Sequence, residues 1–275
     1  MPDLSALVRP NFERPPVVET VLSVQFERLA AMRAVHFGSL WRKLKPDFQK
    51  TEERHALEPV IERFTGSTPH RVRLQFEAVE TLPLPRLWLL NDAGDEMVQV
   101  QNDRFVKNWR KSEGRQAYPR YDQTVRPAFE RDWELFKSFV AEEGLGEIKV
   151  NQCEVTYVNH IVSGDGWEEM GEIGKIFTFW KQPAADGLPG HTEDFGFQAR
   201  FQIRDEKNAP IGRLHVDVQP ALNNADKRPM YVMTLTARGM CGNGVEFLDV
   251  GRLWVVNSFT NLTTQNMHAV WGRKE

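Results

Sequence analysis

Cysteine is nearly missing from this chain: Cys153 and Cys241 are the only two among 275 residues. Neither stands beside histidines at short spacing, so they make no disulfide scaffold and no structural zinc site, and a reducing cytosol is expected to keep both as thiols. Long hydrophobic runs are missing too. No segment approaches the roughly 18 consecutive apolar residues of a membrane helix, and the first residues carry neither the features of a secretory leader nor a lipidation motif. The expected location is therefore the cytoplasm, with no membrane partner. Charge of one sign does not dominate, since 35 Lys and Arg face 38 Asp and Glu for a formal net charge of −3. That balance does not support a nucleic-acid footprint over the whole surface. Catalytic signatures are lacking as well. There is no His-x-x-x-His pair, no P-loop Lys-Ser or Lys-Thr and no dinucleotide-binding glycine spacing, so no catalytic residue, metal ligand or cofactor is assigned.

What the chain does contain is patterned apolar side chains. With 41% hydrophobic residues, 17 Phe and 8 Trp, it can bury a full core. The pattern runs twice in the order strand, helix, further strands, long helix. In the first copy Val18, Leu22, Val24 and Phe26 alternate with Glu19, Ser23, Gln25 and Glu27, as a half-buried strand requires. In the second, Val155, Tyr157 and Ile161 alternate with Glu154, Thr156 and His160. A helix follows each, over 36–48 and 168–181. Strands are expected at 70–77, 86–91 and 97–106 in copy one and at 195–205, 211–219 and 229–239 in copy two, with turns at Asn91 to Asp95 and Arg204 to Asn208. The closing helices run over 120–143, where Phe129, Trp133, Phe136 and Val140 keep helical spacing and Gly144 is the stop, and over 245–259. Thr263 or Thr264 caps a last helical piece. The expected fold class is α+β: duplicated β-α-β-β-β-α halves, residues 1–146 and 147–275, forming a largely antiparallel sheet with the long helices packed on one face.

Such a sheet turns a second, polar face outward, lined by Glu19, Ser23, Gln25, Arg71, Arg73, Gln75, Gln99, Gln101, Glu154, His160, Arg200, Arg213, His215, Asp217 and Arg238. An antiparallel sheet commonly has one solvated face; the functional alternative is a concave recognition surface. A second candidate is the stretch that joins the last strand of copy one to its long helix: Arg104, Lys107, Asn108, Trp109, Arg110, Lys111, Arg115, Tyr118, Arg120, Tyr121 and Arg126. Cations and aromatics arrive there at a helix N-terminus, whose unpaired amides favour an anion. The plainer reading is a solvated loop whose aromatics staple the helix and whose arginines pair with Glu113, Glu130 or Asp132. The matching junction in copy two, Arg238-Gly239-Met240-Cys241-Gly242-Asn243-Gly244, reads as an ordinary turn needing positive φ. His160, His215, Asp217 and Glu154 are the minimum for acid–base chemistry if they meet in space. Glu58, Glu62 and Arg63 read as a solvated charged surface.

The segments Pro16-Val17-Val18-Glu19, Asn108-Trp109-Arg110-Lys111, Tyr118-Pro119-Arg120-Tyr121, Cys153-Glu154-Val155-Thr156-Tyr157 and Thr263-Thr264-Gln265-Asn266 together resemble a sporadically distributed family of uncharacterised bacterial proteins of about this length, with no known activity. The resemblance covers nearly the whole chain. It implies a bacterial cytoplasmic protein, associates it through patchy occurrence with mobile or defence-linked genes, and supplies no catalytic residue. The leading expectation is a non-enzymatic binding protein that presents its polar sheet face and cationic junction to an anionic small molecule or a protein partner. The alternatives are an enzyme of unfamiliar type using His160, His215, Asp217 and Glu154, and an assembly or regulatory subunit that self-associates, for example as a homodimer.

Overall fold

The computed structural model describes residues 9–64, 84–112, 118–180, 192–240 and 244–274. The elements in chain order are β1 (Asn11–Phe12), β2 (Val17–Phe26), α1 (Ala34–Leu44), β3 (Lys50–Arg54), β4 (Arg86–Leu90), β5 (Glu96–Gln101) and β6 (Arg104–Arg110). A π-helical turn (Tyr121–Val125) then runs into α2 (Arg126–Glu142). There follow β7 (Val150–Val162), α3 (Ile173–Ile176), β8 (Phe197–Arg204), β9 (Pro210–Leu222), β10 (Pro229–Gly239), α4 (Phe247–Leu262), α5 (Gln265–Val270) and β11 (Arg273–Lys274). The protein is α+β. Among the described residues nine strands make one antiparallel sheet in the order β3-β4-β5-β6-β2-β7-β10-β9-β8, and β1 pairs with β11 apart from it. Strands β2 and β7 lie side by side near its middle, so the two opening strands read from the alternation pattern meet directly.

Packing follows from spacing. In α2 Phe129, Trp133 and Phe136 fall on one helical stripe, and their rings meet Phe105 of β6 at 6.0, 5.4 and 5.3 Å, while Trp133 also reaches Phe26 of β2 at 6.1 Å. Each such side chain contributes about 1.5–3 kcal/mol on full burial, against about 0–1 kcal/mol for an exposed ion pair, so the aromatic row and not the charged surface seats this helix. Pro127 lies in the first turn, and the helix stops before Gly144, whose φ is +62°. Helix α4 packs on β7 and β10. There Phe247 presses onto two strand glycines; a Cβ on Gly212 would lie 2.6 Å from its ring, and one on Gly239 would collide with it too. Close approach, not a left-handed backbone, is what requires glycine at the end of β10. Thr264 caps α5 by accepting the Met267 N–H.

Several expectations need correction. The span 97–106 is not one strand but the hairpin β5–β6, because Asn102 and Asp103 make a tight turn inside an alternation that continues on both sides of it. The helix expected over 168–181 shrinks to the single turn α3; Phe179 and Trp180 instead pack on Phe195 at 5.9 and 5.0 Å. Strand β3 was not foreseen, since Lys50 to Arg54 is exposed throughout and has no apolar face to signal it. The expectation of two free thiols fails at Cys153, which is buried and disulfide-bonded. The strand expected at 70–77 with Arg71, Arg73 and Gln75, the cation Arg115 and the turn residues Cys241 to Asn243 lie outside the described residues. Among the described residues no helix is long and apolar enough to cross a membrane.

Candidate functional site

A cleft of about 350 Å³ opens between the start of the α2 segment and α4. Its floor is Tyr157 and Asn159 of β7 with Leu235 of β10, and its walls are Tyr118, Arg120 and Tyr121 on one side and Arg252, Val255 and Phe259 on the other. The N-terminal arm runs along it. Phe12 anchors that arm by packing edge-on against Phe259 at 5.7 Å and Trp271 at 6.2 Å, and Arg120 donates to the Asn11 side chain and, at 3.4 Å, to the Phe12 carbonyl.

The cleft is rich in neutral hydrogen-bond donors. The Tyr118 and Tyr157 hydroxyls lie 2.6 Å apart, and Tyr121 donates to Asp249 at 2.9 Å. Burial pushes all three phenols above their ordinary value. Tyr118 is raised further by Tyr157, and Tyr121 by the Asp249 charge, whereas the Tyr118 hydrogen bond and then the Arg252 charge work against the rise at Tyr157. The phenols therefore keep their protons at neutral pH. The Arg252 guanidinium lies over the Tyr121 ring at 5.2 Å and hydrogen-bonds to Tyr157.

The polar sheet face carries a second arrangement. Side chains directly opposite one another in the strand register form rows: Gln101, Arg104, Gln25 and Gln152 in one, Ser23, Glu154, Arg238 and Arg213 in the next. Across these rows lies the chain's own segment 55–64, running transverse to the strands. Gln101 grips Leu57 twice, accepting its N–H at 3.0 Å and donating to its carbonyl at 2.9 Å. Gln25 accepts the Val60 N–H at 3.0 Å, Arg104 donates to the Glu58 carbonyl at 3.0 Å, and Gln152 accepts the Glu62 N–H at 2.8 Å while donating to the Val60 carbonyl. Five inter-strand steps from β5 to β9 amount to about 24 Å, close to the roughly 20 Å that six extended residues reach. Extension of the strap is what lets it touch so many strands.

The strap ends in a nest of cations. The Glu62 carboxylate, 7% exposed, meets Arg213, the His215 Nε2 at 2.6 Å and the Arg238 Nη1 at 3.3 Å. Burial raises its pKa, but the His215 hydrogen bond and the charges of His215, Arg213 and Arg238 outweigh that and leave it below the ordinary carboxylate value. Arg238 also donates to Glu154 at 2.5 Å. The reading of Glu58, Glu62 and Arg63 as solvated surface is thus overturned for Glu62, while Glu58 and Arg63 are exposed as that reading has them.

The cationic junction is divided by strand alternation instead of converging on one anion. Arg104, Asn108 and Arg110 face the polar side, where Asn108 and Arg110 both donate to Glu19, at 2.7 and 2.8 Å. Lys107 and Trp109 face the other way. Lys107 is a buried partner of Asp132 and Glu96, at 2.8 Å from each, and the Trp109 ring packs on Tyr118 at 5.6 Å. Lys111 stays at the surface and its charge, after burial, lowers the pKa of His160. Tyr118, Arg120 and Tyr121 alone reach the cleft. Arg126 pairs with Glu130 and Asp249.

His160, Arg200, Arg213, His215, Asp217 and Glu154 all belong to the one sheet, yet they do not form a single constellation. His215 meets Glu62, Glu154 meets Arg238, and Asp217 accepts from Gln198 and Gln219 at 3.1 and 2.9 Å. Arg200 stands opposite His215 on the edge strand β8. Among the described residues no group of three potential metal ligands converges. Sequence reasoning missed Arg252 and Asn159 in the cleft, and it missed the corner where Arg54, Arg86 and Arg110 surround the Trp88 ring at 4.8, 5.3 and 5.3 Å. An arginine inside the apolar run Val250 to Val256 was the available signal for Arg252. No protein-family model and no curated protein matches the chain, so function is read from this geometry.

Proposed function

We propose that the chain is a non-enzymatic binding protein whose cleft holds a small anionic molecule with an apolar or aromatic body. The carrying observation is a cavity of about 350 Å³ in which the Arg252 and Arg120 side chains stand among three protonated phenols. That volume falls within the roughly 300–1,000 Å³ of small-molecule sites. Val255, Phe259 and Leu235 offer the apolar contact, while Arg252, Arg120 and the phenols offer donors. Protein purified from its host, denatured to release bound molecules and analysed by mass spectrometry, is expected to yield an anionic compound. Arg252→Met and Arg120→Ala lose it, and Arg110→Ala, on the opposite face, keeps it. Equal retention by Arg252→Met removes the cleft from this reading.

The cleft takes its place from a duplicated architecture, which forms part of the same proposal. Residues 1–146 and 147–275 are two β-α-β-β-β-α halves, with α2 and α4 on one face of the sheet. The strand order supports it: outward from the β2–β7 pair, β6, β5 and β4 on one side correspond to β10, β9 and β8 on the other. On that reading the cleft lies at the seam between halves, where the closing helix of each contributes a wall.

A further inference from the structure

The strap over the polar face is held in an unusual way. The hydrogen bonds from Leu57 to Val60 go to its main chain, from the side-chain amides of Gln101, Gln25 and Gln152, which pair with N–H and C=O groups as a neighbouring strand would, and from the Arg104 guanidinium. Such contacts are indifferent to sequence. Leu57, Val60 and Ile61 are 38%, 39% and 52% exposed. A segment with little buried apolar surface belongs to the low end of local stability. The specific side-chain contacts gather at its end, where the Glu62 carboxylate sits in its nest of Arg213, Arg238 and His215 and the Phe64 ring lies under the Arg213 guanidinium at 5.3 Å. What retains the strap is therefore chemistry that another extended peptide carrying an acidic side chain followed by an aromatic one can reproduce.

We propose that this face is a docking groove for an extended acidic peptide segment of a protein partner, and that residues 55–64 are its resident occupant, displaced when the partner binds. The glutamine row reads the incoming main chain, and the Arg213–Arg238–His215 nest reads its carboxylate. Exposed Arg200, opposite His215 on β8, is placed to meet a second acidic group. The inference is independent of the cleft, which lies among α4 and the α2 segment and shares none of these residues.

The test uses a labelled peptide with the strap's own sequence, His-Ala-Leu-Glu-Pro-Val-Ile-Glu-Arg-Phe, and the full chain. Binding to the Glu62→Gln chain is expected to be tighter than to the unaltered chain by on the order of tenfold, because the resident strap competes less well. A peptide with Gln in the place of the second Glu binds more weakly to both chains, and Arg213→Ala added to Glu62→Gln removes the gain. Hydrogen exchange on the unaltered chain supplies the independent readout, so that a poorly folded variant does not decide the matter. Saturating peptide should accelerate exchange at the Leu57, Val60 and Glu62 amides while leaving β7 and β10 protected. Strap amides that remain as protected as the central strands at millimolar peptide would overturn the proposal and make the strap a fixed part of the fold. Running the Arg252→Met chain in parallel separates this outcome from failure of the cleft.

Discussion

The Lys107 ammonium lies 2.8 Å from Asp132 and 2.8 Å from Glu96, with 4% of the side chain exposed. Its charge is answered inside the fold, beneath α2, and is closed to any ligand. Lys107→Met leaves the Asp132 carboxylate buried with Arg131 as its remaining cation, and breaking such a pair by removing one member costs about 3–5 kcal/mol. Urea denaturation of Lys107→Met and of the Lys107→Met/Asp132→Leu double variant measures this, with the double variant recovering most of the loss. The cleft tyrosines make a second prediction. Their folded pKa values are raised, so their contribution to stability is whole below the ordinary phenol value of 10.0 and is lost as pH climbs above it toward the folded value. Tyrosinate absorbance from Tyr118, Tyr121 and Tyr157 should therefore appear together with alkaline unfolding and not before it. At this scale the sequence was informative about aromatics and silent about partners. Tyr118 and Tyr121 were legible as members of a cluster, but nothing local to Lys107 shows that alternation turns it inward.

Among elements, the strap is the one that periodicity does not reveal. Residues 55–64 have neither helical nor strand spacing, and their order comes from glutamines on β2, β5 and β7 that are distant in sequence. The regular elements were largely legible: β2, β7, β10, α2 and α4 follow from alternation or helical stripes, because a half-buried strand and a helix each need one apolar face. Strand β3, with no such face, and the Asn102–Asp103 turn, hidden in continuing alternation, were not. Acid should release the strap before it disturbs the sheet. Glu62 has a lowered folded pKa, so its stabilising contribution is present above the ordinary carboxylate value of 4.5 and is lost as pH falls through the folded value. Facing it are Arg213, Arg238 and His215, with Glu154 on the far side of Arg238, so protonation of Glu62 removes the central anion of that group. Limited proteolysis across this range is expected to cut within 55–64 at acid pH while β7 stays intact, and the Glu62→Gln chain is cut there at neutral pH.

For the molecule as a whole, β2 and β7 pair in the middle of the nine-stranded sheet, and the separate β1–β11 pair fastens the N-terminal arm to Arg273 and Lys274. The candidate sites were less legible than this frame, since each depends on where the frame brings remote side chains together. Arg252 approaches Tyr121 only because α4 and the α2 segment converge, and Glu62 meets Arg213 across 151 positions of sequence. Among the described residues the sheet has two outer strands, β3 and β8, each hydrogen-bonded on one side only. Lys50, Glu52, Glu53 and Arg54 are all exposed on β3, as Arg200, Gln202 and Arg204 are on β8. A further copy attaching at either margin would have to strip water from these ionic and amide groups without supplying them a match. Replacing Glu52 and Glu53 by Val and Thr is expected to turn a sample of uniform mass in light scattering into a growing polymer. Ionic hems on both borders thus let a ribbon of nine strands stay finite.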